Sequence, residues 1–219
     1  MNFSANDRNR RRSRQGGFSL AEMMVVITII AFLLALSAPN IMSLLRGSEL
    51  ATQGELFKNQ LSQGQQIALS TNADVEIRFF KFADKDDAQV KAVYQAYQFY
   101  QYNDDGLLTE RSELFRLNAP VIFHDNPKFT NLFRTQSVDE GVEESGTVDQ
   151  APKKFGSGVS SATYRSFRFR PDGSTDLPKG EKIYFVTLVQ EQGANQTDPK
   201  NFYCIQIDPY NGSLREYRP

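Results

Sequence analysis

Few residues in this chain have the types and spacing for chemistry. There is one cysteine, Cys204, and one histidine, His124, in 219 residues. A lone cysteine cannot close an internal disulfide. Cys204 sits in the apolar run 202–207, where it reads as a small hydrophobe. One histidine excludes a His-rich metal site, and no nucleophile motif accompanies His124 to make a Ser-His-Asp set. Asn103-Asp104-Asp105-Gly106 has the flavour of a calcium loop. With Gly106 at the sixth loop position, however, the first falls on Gln101 and the twelfth on Ser112. Neither is a carboxylate, so calcium is not expected there. No paired carboxylates, cofactor loop or metal-ligand cluster stands out, so neither catalysis nor a cofactor is expected.

One carboxylate does stand out. Glu22 precedes a charge-free run of 23 residues, Met23 to Leu45, inside an otherwise apolar stretch. A carboxylate at a membrane-helix centre costs about 2.5–3.5 kcal/mol, so such residues are paired and default to a functional role. If the chain is cut before Phe18, Glu22 lies one helical turn from a free cationic amine. No Lys or Arg occurs between Phe18 and Leu45, so that amine, on a neighbouring copy, is the nearest cation the sequence offers.

The element that positions Glu22 is a helix long enough to span a bilayer. Before it lie Arg8, Arg10, Arg11, Arg12 and Arg14 against Asp7, a net +4 that leaves −5 for the rest of a chain totalling −1. Basic residues ahead of an apolar span keep that end in the cytoplasm and send the C-terminal bulk across. An ordinary secretory signal has similar parts, and Ala35-Leu36-Ser37 is a usable cleavage site before Ala38. Arg11-Arg12 also suggests a twin-arginine signal, but Ser13-Arg14-Gln15 lacks the apolar pair that would follow.

The string Gly17-Phe18-Ser19-Leu20-Ala21-Glu22-Met23-Met24-Val25-Val26 resembles the type IV prepilin processing site. The resemblance implies cleavage between Gly17 and Phe18 by a prepilin peptidase and N-methylation of Phe18. It implies assembly through Glu22 with other pilin-like subunits and with an inner-membrane assembly platform. Pro39 stands where many pilins carry a helix-kinking proline. Ala21 and Met23 depart from the commoner Ile and Leu but stay apolar.

Beyond the membrane the helix should continue. Leu50, Phe57, Leu61 and Ala68 recur at helical spacing, with Gly54 and Gly64 near the same face and polar residues between. Pro39 and Gly47 should bend or loosen it, and Thr71-Asn72-Ala73-Asp74 ends it. Strand signals follow at 75–82, 90–102 and 120–124, then at 163–170, 183–190 and 202–208. Pro171-Asp172-Gly173 and Asn211-Gly212 are turn chemistry. The expected fold is α+β: a long N-terminal transmembrane-plus-amphipathic helix packed on an antiparallel β-sheet head. The core should draw on Leu50, Phe57, Leu61, Phe167, Phe169, Tyr184, Val186, Ile205 and Ile207. The organisation reads as a basic leader at 1–17, a transmembrane and assembly helix at 18–45 and a soluble head at 46–219. Within the head the helix runs to about 72, and an acidic, Gly- and Ser-rich mobile loop lies at about 136–160.

Helix then sheet is the order of pilins and pseudopilins. Residues 65–78, the strand and turn FRFRPDGS (167–174) and the ending IQIDPYNGSLREYR (205–218) resemble the H-type minor pseudopilins of type II secretion. YQAYQ, FRFRPDGSTDLP and the IQIDP-x-x-G ending resemble the prepilin-type "cassette protein D" group of Verrucomicrobia and relatives. These likenesses imply a structural, non-enzymatic minor pilin or pseudopilin, single-pass in the inner membrane, with a periplasmic or extracellular head. Two other classes fit parts of the sequence. A DNA-binding minor pilin could use Arg165, Arg168, Arg170, Arg215 and Arg218, but a net −5 argues against nucleic acid as partner. A periplasmic binding protein or enzyme would need the ordinary signal peptide.

Overall fold

A computed structural model describes residues 18–83, 91–133, 145–149, 155, 159, 161–180, 183–191 and 199–219, with side chains outside the description at 37–46, 145–149 and 161. The chain divides into two compact units, Met1–Leu44 and Leu45–Pro219. Helix α1, Leu20–Thr71, enters both.

In the first unit the described part of α1 carries apolar side chains on every side, with exposures between 46% at Val26 and 78% at Leu20 among the large hydrophobics. A helix that is apolar all round needs an apolar environment on all sides. Among the described residues no helix is long and apolar enough to cross a membrane. The described side chains of this stretch stop at Leu36, whereas the charge-free sequence runs to Leu45.

In the second unit α1 has a stripe. Leu50, Gly54, Phe57, Leu61, Gly64 and Ala68 are buried, at alternating steps of three and four residues, while Leu56, Ser62, Gln66 and Leu69 face out. The glycines are steric. A Cβ on Gly54 would lie 2.3 Å from the Tyr203 ring, and one on Gly64 would lie 2.7 Å from Phe99. The helix stops at Thr71, and Asn72 takes a left-handed φ of 51°, a conformation Asn tolerates at helix ends.

Among the described residues the stripe packs on a ten-stranded sheet in the order β10-β9-β8-β5-β2-β1-β7-β6. The strands are β1 (Val75–Phe82), β2 (Val93–Tyr102), β3 (Leu108–Glu110), β4 (Phe115–Arg116), β5 (Val121–Phe123), β6 (Ser145–Asp149), β7 (Ser161–Phe169), β8 (Tyr184–Gln190), β9 (Phe202–Ile207) and β10 (Leu214–Tyr217). β3 and β4 pair only with β2, and every pairing is antiparallel. The α+β expectation describes this unit directly. All nine expected core residues are buried, none more than 3% exposed. Phe57 stands edge-on to Tyr97, Phe123 and Phe79, with centroids at 4.8, 5.0 and 5.9 Å.

The strands expected at 90–102 and 202–208 are shorter than read, and the one expected at 163–170 starts earlier, at Ser161. The span 136–160, expected as a mobile polar loop, needs correction where it is described. Ser145–Asp149 is strand β6, in register with β7 from Ser145↔Arg165 to Asp149↔Ser161. Phe155 is 3% exposed, 5.0 Å from Phe80 and 5.1 Å from Phe82. With Val159, Ala96 and Ala162 these rings form a second small core. An edge strand is held by backbone bonds, which a polar sequence makes as well as an apolar one. Cys204 is half-buried rather than in the core, because alternation turns Tyr203, Ile205 and Ile207 inward and Cys204 outward.

Candidate functional site

The N-terminal segment has the most developed local chemistry. Gly17 and the leader lie outside the described residues. Phe18 is 79% exposed. Ser19 is the N-cap of α1 and Glu22 stands three residues on. The Ser19 backbone N–H donates to Glu22 Oε2 at 2.9 Å, and the Ser19 hydroxyl donates to the same oxygen at 3.0 Å. The Glu22 N–H returns a 3.2 Å bond to Ser19 Oγ. This is a capping box, which satisfies donors that a helix start otherwise leaves open. Both side-chain bonds fall on Oε2, so Oε1 has no hydrogen-bond partner among the described residues. Glu22 therefore caps its own helix through Oε2. The Ser-x-x-Glu spacing carries this role in plain view, but the charge of Glu22 in an apolar run drew attention away from Ser19. Pro39 falls within α1, and its side chain lies outside the described residues.

In the second unit the two expected turns meet on the helix. Gln65 Nε2 donates to the Gly173 carbonyl at 3.1 Å and to the Asn211 carbonyl at 2.8 Å. Gly173 and Gly212 have φ of 83° and 63°, and a Cβ on Gly212 would lie 2.5 Å from the Gly173 oxygen. One glutamine thus ties the turn after β7 to the turn before β10, and only glycine fits at the crossing. Asp176 closes the first turn back onto β7 by accepting the Arg168 N–H at 2.7 Å, and burial pushes its carboxyl up to about 6.

The five arginines offered for nucleic acid do not form one patch. Arg165 and Arg168 alternate to opposite faces of β7. Arg168 lies 3.9 Å from Glu76 and from Asp176 and stacks over Tyr102 at 4.5 Å. Arg215 belongs to β10, at the opposite end of the strand order from β7 and β6. Glu76, fully buried, also accepts from Arg78 at 2.5 Å and from Tyr102 at 2.7 Å. Asn103–Gly106 is a hydrogen-bonded turn, Gly106 N–H to Asn103 O at 2.8 Å. Among the described residues no three His, Cys, Asp or Glu side chains are grouped to hold a metal.

Residues 12–38 match the family model described as the prokaryotic N-terminal methylation motif. The match takes in Gly17, Phe18, Ser19 and Glu22 and stops one residue short of Pro39. Among solved structures the chain is similar to the minor pseudopilin EpsH from the type 2 secretion system of Vibrio cholerae. Two structures of that protein align at 11% and 12% identity with TM-scores of 0.43 and 0.44, covering 78% and 79% of this chain and 98% and 96% of those. The type IV minor pilin FimU of Pseudomonas aeruginosa aligns at 11% identity with a TM-score of 0.42, covering 78% of this chain and 93% of that one. No curated protein matches the sequence.

Proposed function

We propose that this chain is a structural minor pilin or pseudopilin subunit. A prepilin peptidase cuts between Gly17 and Phe18, and Phe18 is N-methylated. The helix from 18 to 45 anchors the protein once in the inner membrane, with its N-terminus cytoplasmic and its head periplasmic, or extracellular after assembly. It then packs with other pilin-like subunits, delivered by an inner-membrane assembly platform. The observation that carries this reading is the match to the methylation motif at 12–38, which spans the Gly17-Phe18 junction. Directly behind that junction the helix is apolar on all sides, and Glu22 holds one oxygen ready for a cation. A methylated amine on a neighbouring Phe18 is such a cation, and in an apolar surround a carboxylate keeps its charge only when that charge is met. YQAYQ, FRFRPDGSTDLP and IQIDPYNG support placing the chain near the "cassette protein D" group.

N-terminal sequencing and intact mass of the membrane-extracted protein test the proposal. A chain that starts at methylated Phe18 is the expected result. A chain that starts at Ala38 would mean an ordinary signal peptide and a free periplasmic protein.

A further inference from the structure

The only histidine of the sequence, His124, directly follows β5, and it is 1% exposed. Its Nδ1 accepts the Asn126 backbone N–H at 3.0 Å. An imidazole that accepts at Nδ1 carries its proton on Nε2, and Nε2 is buried with no partner among the described residues. His124 is thus held neutral by geometry. The Asn126 carbonyl in turn accepts the N–H groups of Phe129 and Thr130, both at 2.9 Å.

That turn has a task on the neighbouring strand. β8 pairs with β5 only from Leu188 to Gln190, and His124 N–H extends the ladder to the Thr187 carbonyl at 2.8 Å. Beyond that point side chains replace a strand. Thr130 Oγ1 accepts the Thr187 N–H at 3.1 Å, Asn131 Oδ1 accepts the Phe185 N–H at 2.8 Å, and Asn131 Nδ2 donates to the Ile183 carbonyl at 2.6 Å. The Thr187 hydroxyl donates to the Phe129 carbonyl. The strap 126–131 therefore covers a strand edge that would otherwise present open donors and acceptors.

We propose that His124 is an acid-released latch: its protonation frees the 126–131 strap and bares the edge of β8 from Ile183 to Thr187. A proton added at Nδ1 points at the Asn126 N–H, so the bond that starts the turn is lost. The charge is also buried, with Nε2 unpartnered among the described residues. The charged groups around the imidazole are Asp125, which favours the charged form, and Lys91, which opposes it; Lys81 of β1 pairs with Asp125 at 3.1 Å, and Lys128 lies over Phe129 at 5.3 Å. Burial is the largest influence and lowers the imidazole from its ordinary 6.5. The folded protein then binds this proton less readily than the unfolded chain, so stability falls as pH drops through 6.5 toward the folded value. Asp176 has the opposite sign. Its folded value is raised from 3.8 to about 6, so its contribution is lost as pH rises across that interval. Acid-driven opening localised at β8 belongs to His124.

Amide hydrogen exchange on the full chain in detergent micelles, corrected for intrinsic rates, tests this at about pH 7.5 and about pH 5. The Phe185 and Thr187 amides should lose protection severalfold at the lower pH. His124→Asn keeps an acceptor near the Nδ1 position without titrating, and should abolish the change. Protection in the wild type that is independent of pH, or a loss that persists in His124→Asn, would overturn the latch. Should that variant fold poorly, the imidazole nitrogen shifts of the wild type decide. An Nε2–H tautomer titrating below 6.5 supports the latch, and a midpoint at or above 6.5 refutes it.

Discussion

The two halves of α1 are built from the same backbone and answer to different surroundings. From Phe18 to Leu36 the large apolar side chains are exposed on every face, and the start of the helix is bonded through the Ser19–Glu22 box. From Leu50 to Ala68 the helix has one apolar stripe, covered by the sheet, and a back that is polar except at Leu56. The second half is finished within the chain. The first half needs an apolar environment that the described residues do not supply. If the first half assembles as proposed, fold and assembly occupy separate stretches of one helix, and substitutions should separate them.

The largest effect should come from the packed half. Removing a buried phenylalanine typically costs 3–5 kcal/mol. Phe57, ringed by Tyr97, Phe123 and Phe79, is fully buried. Phe57→Ala should lower the chemical-denaturation midpoint of the detergent-solubilised protein by a corresponding amount, whereas Phe32→Ala, 64% exposed, should leave it unchanged. Equal responses would erase the distinction between the halves.

A smaller effect is expected at the crossing of the two turns. Gln65→Ala removes two hydrogen bonds to carbonyls, worth about 1 kcal/mol each. Gly212→Ala adds a Cβ 2.5 Å from the Gly173 oxygen at a φ of 63°, for which roughly 1–3 kcal/mol is a fair measure of strain. Both should destabilise the head without touching processing. If the double variant costs no more than Gly212→Ala alone, helix and turns act as one lock. Full additivity would show two independent contacts.

The helical stripe, the strand at 75–82 and both glycine turns were legible because each is written in local pattern. Leu50, Phe57, Leu61 and Ala68 keep a helical period, and Phe167 and Phe169 alternate with Arg168 and Arg170. β6 was not legible. Ser145–Asp149 has no apolar alternation and is held by backbone bonds to β7, which leave no mark on side-chain choice. Phe155 was hidden for the same reason: a lone aromatic in an acidic stretch has no period to betray its socket against Phe80 and Phe82. The convergence of Pro171–Gly173 and Asn211–Gly212 on Gln65 depends on contacts more than a hundred residues apart, which turn chemistry cannot show.

The smallest energetic effect, and the sharpest functional separation, should come from the exposed half. Ser19→Ala removes an N-cap, a loss of about 1 kcal/mol confined to the first turn of α1. It removes only the hydroxyl's bond to Oε2, which the residue 19 backbone N–H still reaches, so Glu22 keeps its charge and its place in the first turn. Glu22→Ala removes the carboxylate itself and leaves Ser19 able to cap. Cleavage after Gly17 should survive both changes, because the scissile bond lies outside the box. Association should not: the cation on a neighbouring Phe18 needs the carboxylate and not the cap. Cross-linking of membrane-extracted protein with other pilin-like subunits should therefore fall steeply in Glu22→Ala and only slightly in Ser19→Ala, with methylation of Phe18 weakened at most in the former. Equal loss in the two variants would mean that the capped conformation of the first turn is what neighbours recognise. Undiminished association in Glu22→Ala would mean that the helix packs by its apolar surface alone, and that Glu22 serves only as the N3 half of its own cap.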